Sequence, residues 1–275
     1  MNGTDMKEHL KTVLRKLGLL RTAFLLYEKS LRLKHGGSEP ALTGQFPLPP
    51  ADLRIKVAGF QDGRWFLESG QRAFDGIQAC LKAGAIEVDR LVAILDFGCG
   101  CGRILRYWGN LPAIEVHGCD YNPDLTRWCE KNLPFGRYAV NTLTPPTVYP
   151  PHKFGLVYAI SVFTHLPEAL QLAWMKELRR ILVPTGYLIF STHGDHYQDQ
   201  AKFTASERRE FQEGKLLVRY QEMAGTNLCS AFHPEQYVRR VLAEGFEVVD
   251  YLPEGAQGNP SQQGLYLLRA KPEAL

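Results

Sequence analysis

No stretch of this 275-residue sequence is apolar for the roughly 20 residues a membrane helix needs. The apolar segment Leu17 to Tyr27 is interrupted by Arg21 and follows a polar opening, MNGTDMKEHLK, so no secretory leader is read. Charge of one sign is also missing: 32 basic residues face 29 acidic ones, a net +3. Without a basic field over the whole chain, nucleic acid is not expected as a partner. Cysteine is sparse, with six residues at positions 80, 99, 101, 119, 129 and 229. Their spacing is not that of a zinc ribbon, and a chain this long has no need of disulfide staples. The expectation is a reduced, cytoplasmic protein with free thiols and no metal. There is no internal repeat and no low-complexity tract.

What is present suits a soluble globular protein, with 45% apolar and 22% charged residues. Leu10, Val13, Leu14, Leu17, Leu20, Phe24 and Leu25 recur at helical spacing, so residues 1–35 read as a helical extension. That segment carries eight basic against three acidic residues. Such a helix can pack on its own domain, across a homodimer, or weakly on an anionic membrane surface, and one of the first two is expected. The Pro- and Gly-rich stretch 36–52 reads as a linker, which places the main domain at 53–275.

From Leu91 the periodicity changes. LVAILDFG, AIEVHGCD, FGLVYAISVF and GYLIFSTHG are short apolar runs, the mark of strands buried on both faces. Helical stretches alternate with them: RILRYWGN, PDLTRWCEKNL and PEALQLAWMKELRRIL. FHPEQYVRRVLAEGF reads as one further helix, and FEVVDYL and LYLLRA as a closing antiparallel pair. The pattern predicts an α/β fold: a Rossmann-like, mainly parallel sheet with helices on both faces and an antiparallel C-terminal edge strand. Polar residues 195–230 read as an insertion over the sheet edge, a candidate lid or acceptor pocket.

The chemistry concentrates in Ile94-Leu95-Asp96-Phe97-Gly98-Cys99-Gly100-Cys101-Gly102-Arg103. A glycine turn between a strand and a helix lets backbone approach a ligand closely. Arg103 stands where a dinucleotide fingerprint wants its third glycine. Asp96 precedes the turn, and a carboxylate there repels a pyrophosphate but attracts an ammonium group. Asp120 ends the second run, 18 residues after Gly102, where a carboxylate can accept ribose hydroxyls. Tyr121 follows and can pack on an adenine, and Cys99 is small filler beside a ligand.

ILDFGCGCGR, VHGCDYNPD, FGLVYAISVFTHLPE and ELRRILVPTGYLIFSTHG, in that order, resemble the successive motifs of class I S-adenosylmethionine-dependent methyltransferases. The segment PPADLRIKVAGFQDGRWFLESG resembles the lead-in of a bacterial small-molecule subgroup. The resemblance implies that Asp96, Gly98 and Gly100 hold the methionine end of the cofactor and that Gly102 turns the chain. It implies Asp120 on the ribose, Asn141 and Thr142 at the adenine, and Ser161 and Phe163 near the transferring methyl. Gly155 departs from the pattern, which has an acid there. The expected reaction is methyl transfer to a small molecule, at the oxygen of a sugar, polyketide or lipid-linked metabolite.

His165 and His193 follow two strands whose ends face one crevice, so either can take a proton from an acceptor hydroxyl. A structural role at a helix start competes for His165, and a polar wall role for His193. Three other readings stand: an NAD-dependent oxidoreductase, a non-catalytic S-adenosylmethionine-binding protein, and a membrane-surface interaction protein acting through residues 1–35.

Overall fold

A computed structural model describes residues 3–34, 45–59, 61–109, 114–256, 259 and 262–272, with residues 3–9, 28–29 and 31–34 by backbone alone. Seven strands form the main sheet: β1 Ala93–Phe97, β2 Glu115–Asp120, β3 Gly136–Val140, β4 Phe154–Ala159, β5 Leu182–Thr192, β8 Phe246–Leu252 and β9 Gly264–Ala270. Two short strands, β6 Leu217–Arg219 and β7 Ser230–Phe232, pair antiparallel in a separate ribbon. The main sheet runs β3-β2-β1-β4-β5-β9-β8. Strands β1 to β5 pair in parallel, and β9 enters antiparallel between β5 and β8. This is the Rossmann-like sheet and antiparallel edge pair expected from the sequence.

The apolar runs are buried because helices cover both faces. Ile94, Leu156 and Ile189 face helix α4, Gly63–Ala83, and pack with its Ile77, Cys80 and Leu81. Leu95, Val157 and Leu188 point the other way, to Trp174 and Leu178 of helix α6, Glu168–Ile181. Adjacent residues going to opposite cores is the two-residue period of a strand. Asp62 caps α4 by accepting the Trp65 amide at 2.7 Å. Helix α5, Pro123–Asn132, starts with Pro123 after Asn122, whose side chain accepts the Asp124 amide.

Several local expectations are corrected. The helical extension is two helices, α1 Gly3–Lys16 and α2 Leu20–Lys34, broken where Gly18 takes a φ of 68°. Of the expected linker, residues 36–44 lie outside the described residues. The boundary after residue 52 falls inside a helix, α3 Ala51–Ala58, which follows Pro50 and ends at left-handed Gly59. RILRYWGN gives only a 3-10 turn, Leu105–Trp108, because the stretch between Gly102 and Gly109 is too short to nucleate an α-helix. FHPEQYVRRVLAEGF shortens to Glu235–Tyr237 and a π turn, Val238–Leu242. Strand β3 has no counterpart among the expected strands; it is a half-exposed edge strand with little apolar signal.

All six cysteines are buried and free. Among the described residues no helix is long and apolar enough to cross a membrane.

Candidate functional site

The carboxyl ends of β1, β2 and β4 open on a cavity of about 460 Å³. Crossovers force the strand ends to point the same way, and the strand order reverses between the paired β1 and β4, where a crevice forms beyond their ends. Asp96, Gly98, Cys99 and Gly100 line it from the first strand and its turn. Asp120, Tyr121, Asn141, Thr142, Ser161 and His165 line it from the others.

The turn needs its glycines for space. Gly98 has a φ of 77°, and a Cβ there would lie 2.5 Å from Val162. Gly100 has a φ of 55°, and its Cβ would lie 2.6 Å from Val57 of α3. The Gly100 amide instead donates to Asp120 Oδ2 at 3.0 Å, and the Asn122 amide donates to Asp120 Oδ1 at 2.8 Å. The two acids are nearly sealed, Asp96 at 3% and Asp120 at 7% exposed. Burial pushes Asp96 up to about 8, against the pull of Tyr158 and Arg103. Burial likewise raises Asp120 to about 6, with the amides of Asn122 and Gly100 opposing. Such carboxylates are costly as anions unless a cation or hydroxyl donors join them. Asn141 donates Nδ2 to the Thr142 carbonyl, while its buried Oδ1 has no partner among the described residues.

Ser161, at the end of β4, is held in the left-handed region with a φ of 61°. Its amide donates to Ser191 Oγ at 2.7 Å and its hydroxyl to Gln263 Oε1 at 2.9 Å. A strained non-glycine residue at a strand tip persists only where its surroundings fix it, as these bonds do.

The roof comes from two distant segments. Glu222 to Asn227 cross the cavity, tied by Tyr121 Oη donating to the Gly225 carbonyl at 2.8 Å and the Gly225 amide donating to the His165 carbonyl at 2.9 Å. Helix α2 closes over them: Leu20 is buried against Met223 and Cys229, and Arg21 and Phe24 line the cavity. Arg15 pairs with Glu222 at 2.8 Å. Leu20 and Arg15 thus fix the N-terminal helices to their own domain, one of the two arrangements expected, through residues of the insertion.

His165 also lines a second cavity of about 290 Å³, which shares Val57, Arg103, Ile160, Ser161 and Asn227 with the first. Its Nδ1 lies 2.7 Å from the Cys229 carbonyl, which can only accept, so Nδ1 carries the proton and Nε2 the lone pair. Burial lowers its pKa, keeping the ring neutral. His193 lines neither cavity. It sits behind Gln263, which reaches its Nε2 at 3.0 Å, and stacks on Tyr197 with centroids 4.0 Å apart. Burial, with His165 and His233 adding, drives it down to about 3.

Two of the expected site residues stand away from the cavity. Phe163 is fully buried, its ring 5.2 Å from Phe190, and does not reach the cavity. Gly102 turns the chain at a φ of 72° but faces Leu133 and Cys129, not the cavity. The 222–227 crossing lies in the 195–230 insertion read as a candidate lid or acceptor pocket, and Phe24 and Val57 lie in the helical extension and in the PPADLRIKVAGF lead-in, but no pattern in the sequence singles out Phe24, Val57 or Gln263 as lining residues. Gln263 stands between FEVVDYL and LYLLRA, far from the glycine turn in sequence.

The methyltransferase-domain family matches residues 66–251, more than half of the chain. A tRNA N(3)-methylcytidine methyltransferase of Schizosaccharomyces pombe is 25% identical over 166 residues, 58% of this chain. The chain spans 65% of the length of that curated relative. Among solved structures, the N-methyltransferase NodS of Bradyrhizobium japonicum, in complex with S-adenosyl-L-homocysteine, is similar with a TM-score of 0.50 and 17% identity, covering 79% of this chain and 96% of that one. The PH0226 protein of Pyrococcus horikoshii is similar with a TM-score of 0.52 and 17% identity, covering 79% and 96%. Both likenesses are of fold.

Proposed function

The chain belongs to the methyltransferase-domain family, the class I S-adenosylmethionine-dependent methyltransferases, and from that premise we propose that it methylates an oxygen of a small-molecule acceptor. The observation that carries this reading is the second cavity, which joins the first at Ser161 and His165 and has its own walls. A cavity of about 290 Å³ suits a compact organic molecule.

The residues of the first cavity fit S-adenosylmethionine. Asp96, buried and raised, suits the cofactor's ammonium group. Asp120 keeps lone pairs for ribose hydroxyls after accepting its two amides. The unpartnered Asn141 Oδ1 suits the adenine amino group, with Tyr121 and Thr142 beside it. Gly98 and Gly100 leave the room a Cβ would fill. When bound, the cofactor supplies an electrophilic methyl on a sulfonium.

The chain's own residues position and deprotonate the acceptor. His165 Nε2, free of its proton in the neutral tautomer, accepts the proton of the acceptor hydroxyl. Ser161 and Gln263 fix the shared wall between the cavities, so the acceptor is aligned rather than free. His193 acts behind them by holding Gln263. The roof of α2 and residues 222–227 excludes water.

The yeast relative acts on tRNA by its name, and a nucleoside base is the second acceptor to try. The test is transfer of radiolabelled methyl from S-adenosylmethionine into a panel of hydroxylated metabolites and, separately, into bulk tRNA. Label in a hydroxylated metabolite that needs His165 supports the proposal. Label in tRNA alone overturns it.

A further inference from the structure

The second cavity has a charged end that methyl transfer itself does not use. Trp65, Ser69, Arg72 and Ala73 line it from α4 at spacings of four, three and one, which is a single face of that helix. Arg103 faces them from the turn after β1. Gly70 allows the approach: a Cβ there would run into the Arg103 carbonyl. The two guanidiniums are near enough that Arg72 acts with burial to lower the pKa of Arg103. Neither makes an ion pair among the described residues, and Arg103 Nη1 has only Ser69 Oγ at 3.5 Å. Asp96 attracts Arg103 from a distance, but it lines only the first cavity.

We propose that the acceptor carries a compact oxyanion, a carboxylate or a phosphate, bound by Arg72 together with Arg103 at the α4 end of this cavity. The proposal rests on the methyltransferase reading and specifies its substrate class. Two unpaired guanidiniums in one partly buried cavity repel each other, and an oxyanion between them removes that cost while satisfying their planar donors. The remaining walls fit the body of such a molecule: Trp65, Ile160 and Tyr197 offer apolar and aromatic surface, and His165 stands at the junction where a hydroxyl would meet the cofactor. Arg103 lines both cavities whereas Arg72 lines only the second, so Arg72 separates an acceptor anion from the cofactor's own carboxylate.

The experiment titrates the full chain by calorimetry, with and without saturating S-adenosylhomocysteine, using benzoate, inorganic phosphate and neutral benzamide as probes. Wild type is compared with Arg72→Gln, Arg72→Lys and the surface control Arg127→Gln. Expected is binding of benzoate or phosphate, the stronger one naming the oxyanion, at least fivefold tighter than benzamide. Arg72→Gln should lose that preference, Arg72→Lys keep part of it and Arg127→Gln all of it, while S-adenosylhomocysteine affinity stays within twofold in all three. Equal anion binding by wild type and Arg72→Gln, or no anion binding by wild type, overturns the proposal. So does a tenfold loss of S-adenosylhomocysteine affinity in Arg72→Gln, which would give the arginine to the cofactor carboxylate. Failure of wild type to bind S-adenosylhomocysteine while it still binds anions through Arg72 would leave the anion site standing and sink the methyltransferase reading instead.

Discussion

Asp120 Oδ2 accepts the Gly100 amide at 3.0 Å, so the acid at the tip of β2 holds the glycine turn that follows β1. One carboxylate therefore shapes the loop and faces the cavity. In the proposed function, that couples loop geometry to cofactor binding.

Replacing Asp120 by Ala should separate those two effects from each other. The Gly100 and Asn122 amides lose their acceptor, which costs about 1–3 kcal/mol of stability for each amide left buried and unpaired. Asp120→Asn keeps one side-chain oxygen and should unfold closer to wild type. Both should bind S-adenosylhomocysteine at least tenfold more weakly by calorimetry. Full affinity in Asp120→Asn would remove the ribose role.

Asp96 predicts opposite trends for stability and for binding. Its folded pKa of about 8 lies well above the 3.8 of an ordinary aspartate. The folded state therefore keeps a proton that the unfolded state releases, and this group's contribution to stability declines as pH rises from about 4 to 8. Ligand binding needs the carboxylate, so S-adenosylhomocysteine affinity should rise between pH 6 and 8.5. Asp96→Asn should melt a few degrees higher than wild type at pH 8.5 and bind weakly with no pH trend. A lower melting temperature in that variant at pH 8.5 would contradict the burial cost.

Gly98→Ala meets two obstacles at once. A left-handed backbone costs an L-residue roughly 1–2 kcal/mol, and the new Cβ meets Val162 at 2.5 Å. Thermal unfolding should show both costs in the single variant. Adding Val162→Ala should recover only the steric part, so the double variant stays less stable than Val162→Ala alone.

His165 and His193 should differ in kinetics. With Nδ1–H fixed on Cys229, His165→Gln removes a general base, and kcat should fall by about 10²–10⁴ with S-adenosylhomocysteine affinity nearly unchanged. Because its pKa is lowered, the acid limb of the rate profile should lie below the ordinary imidazole range. His193→Asn acts through Gln263 and should raise KM more than it lowers kcat. Equal losses of kcat in the two variants would remove the distinction.

Leu20 tests the roof. It is 5% exposed against Met223 and Cys229, so Leu20→Ala should cost about 2–3 kcal/mol locally and weaken cofactor-product binding. Unchanged binding would mean that α2 covers the cavity without shaping it.

The order of apolar runs and helical stretches determined the sheet, because parallel strands buried on both faces have a signature of their own. It also placed Asp96, Gly98, Gly100 and Asp120 at strand ends, where right-handed crossovers bring them to one crevice. Asn141, Ser161 and His165 followed from motif order and line the cavity. Phe163 and His193 did not, because a strand-end position fixes where a residue sits and not which way its side chain turns. β3 and α3 leave no clear mark in the sequence because one is a half-exposed edge and the other a short helix after a proline. Only tertiary structure decided the roof, where Leu20 meets Met223 across some two hundred residues of sequence. The same holds for Gln263 against Ser161 and Arg72 against Arg103, pairings made by packing between elements whose contact leaves no periodic trace in the chain.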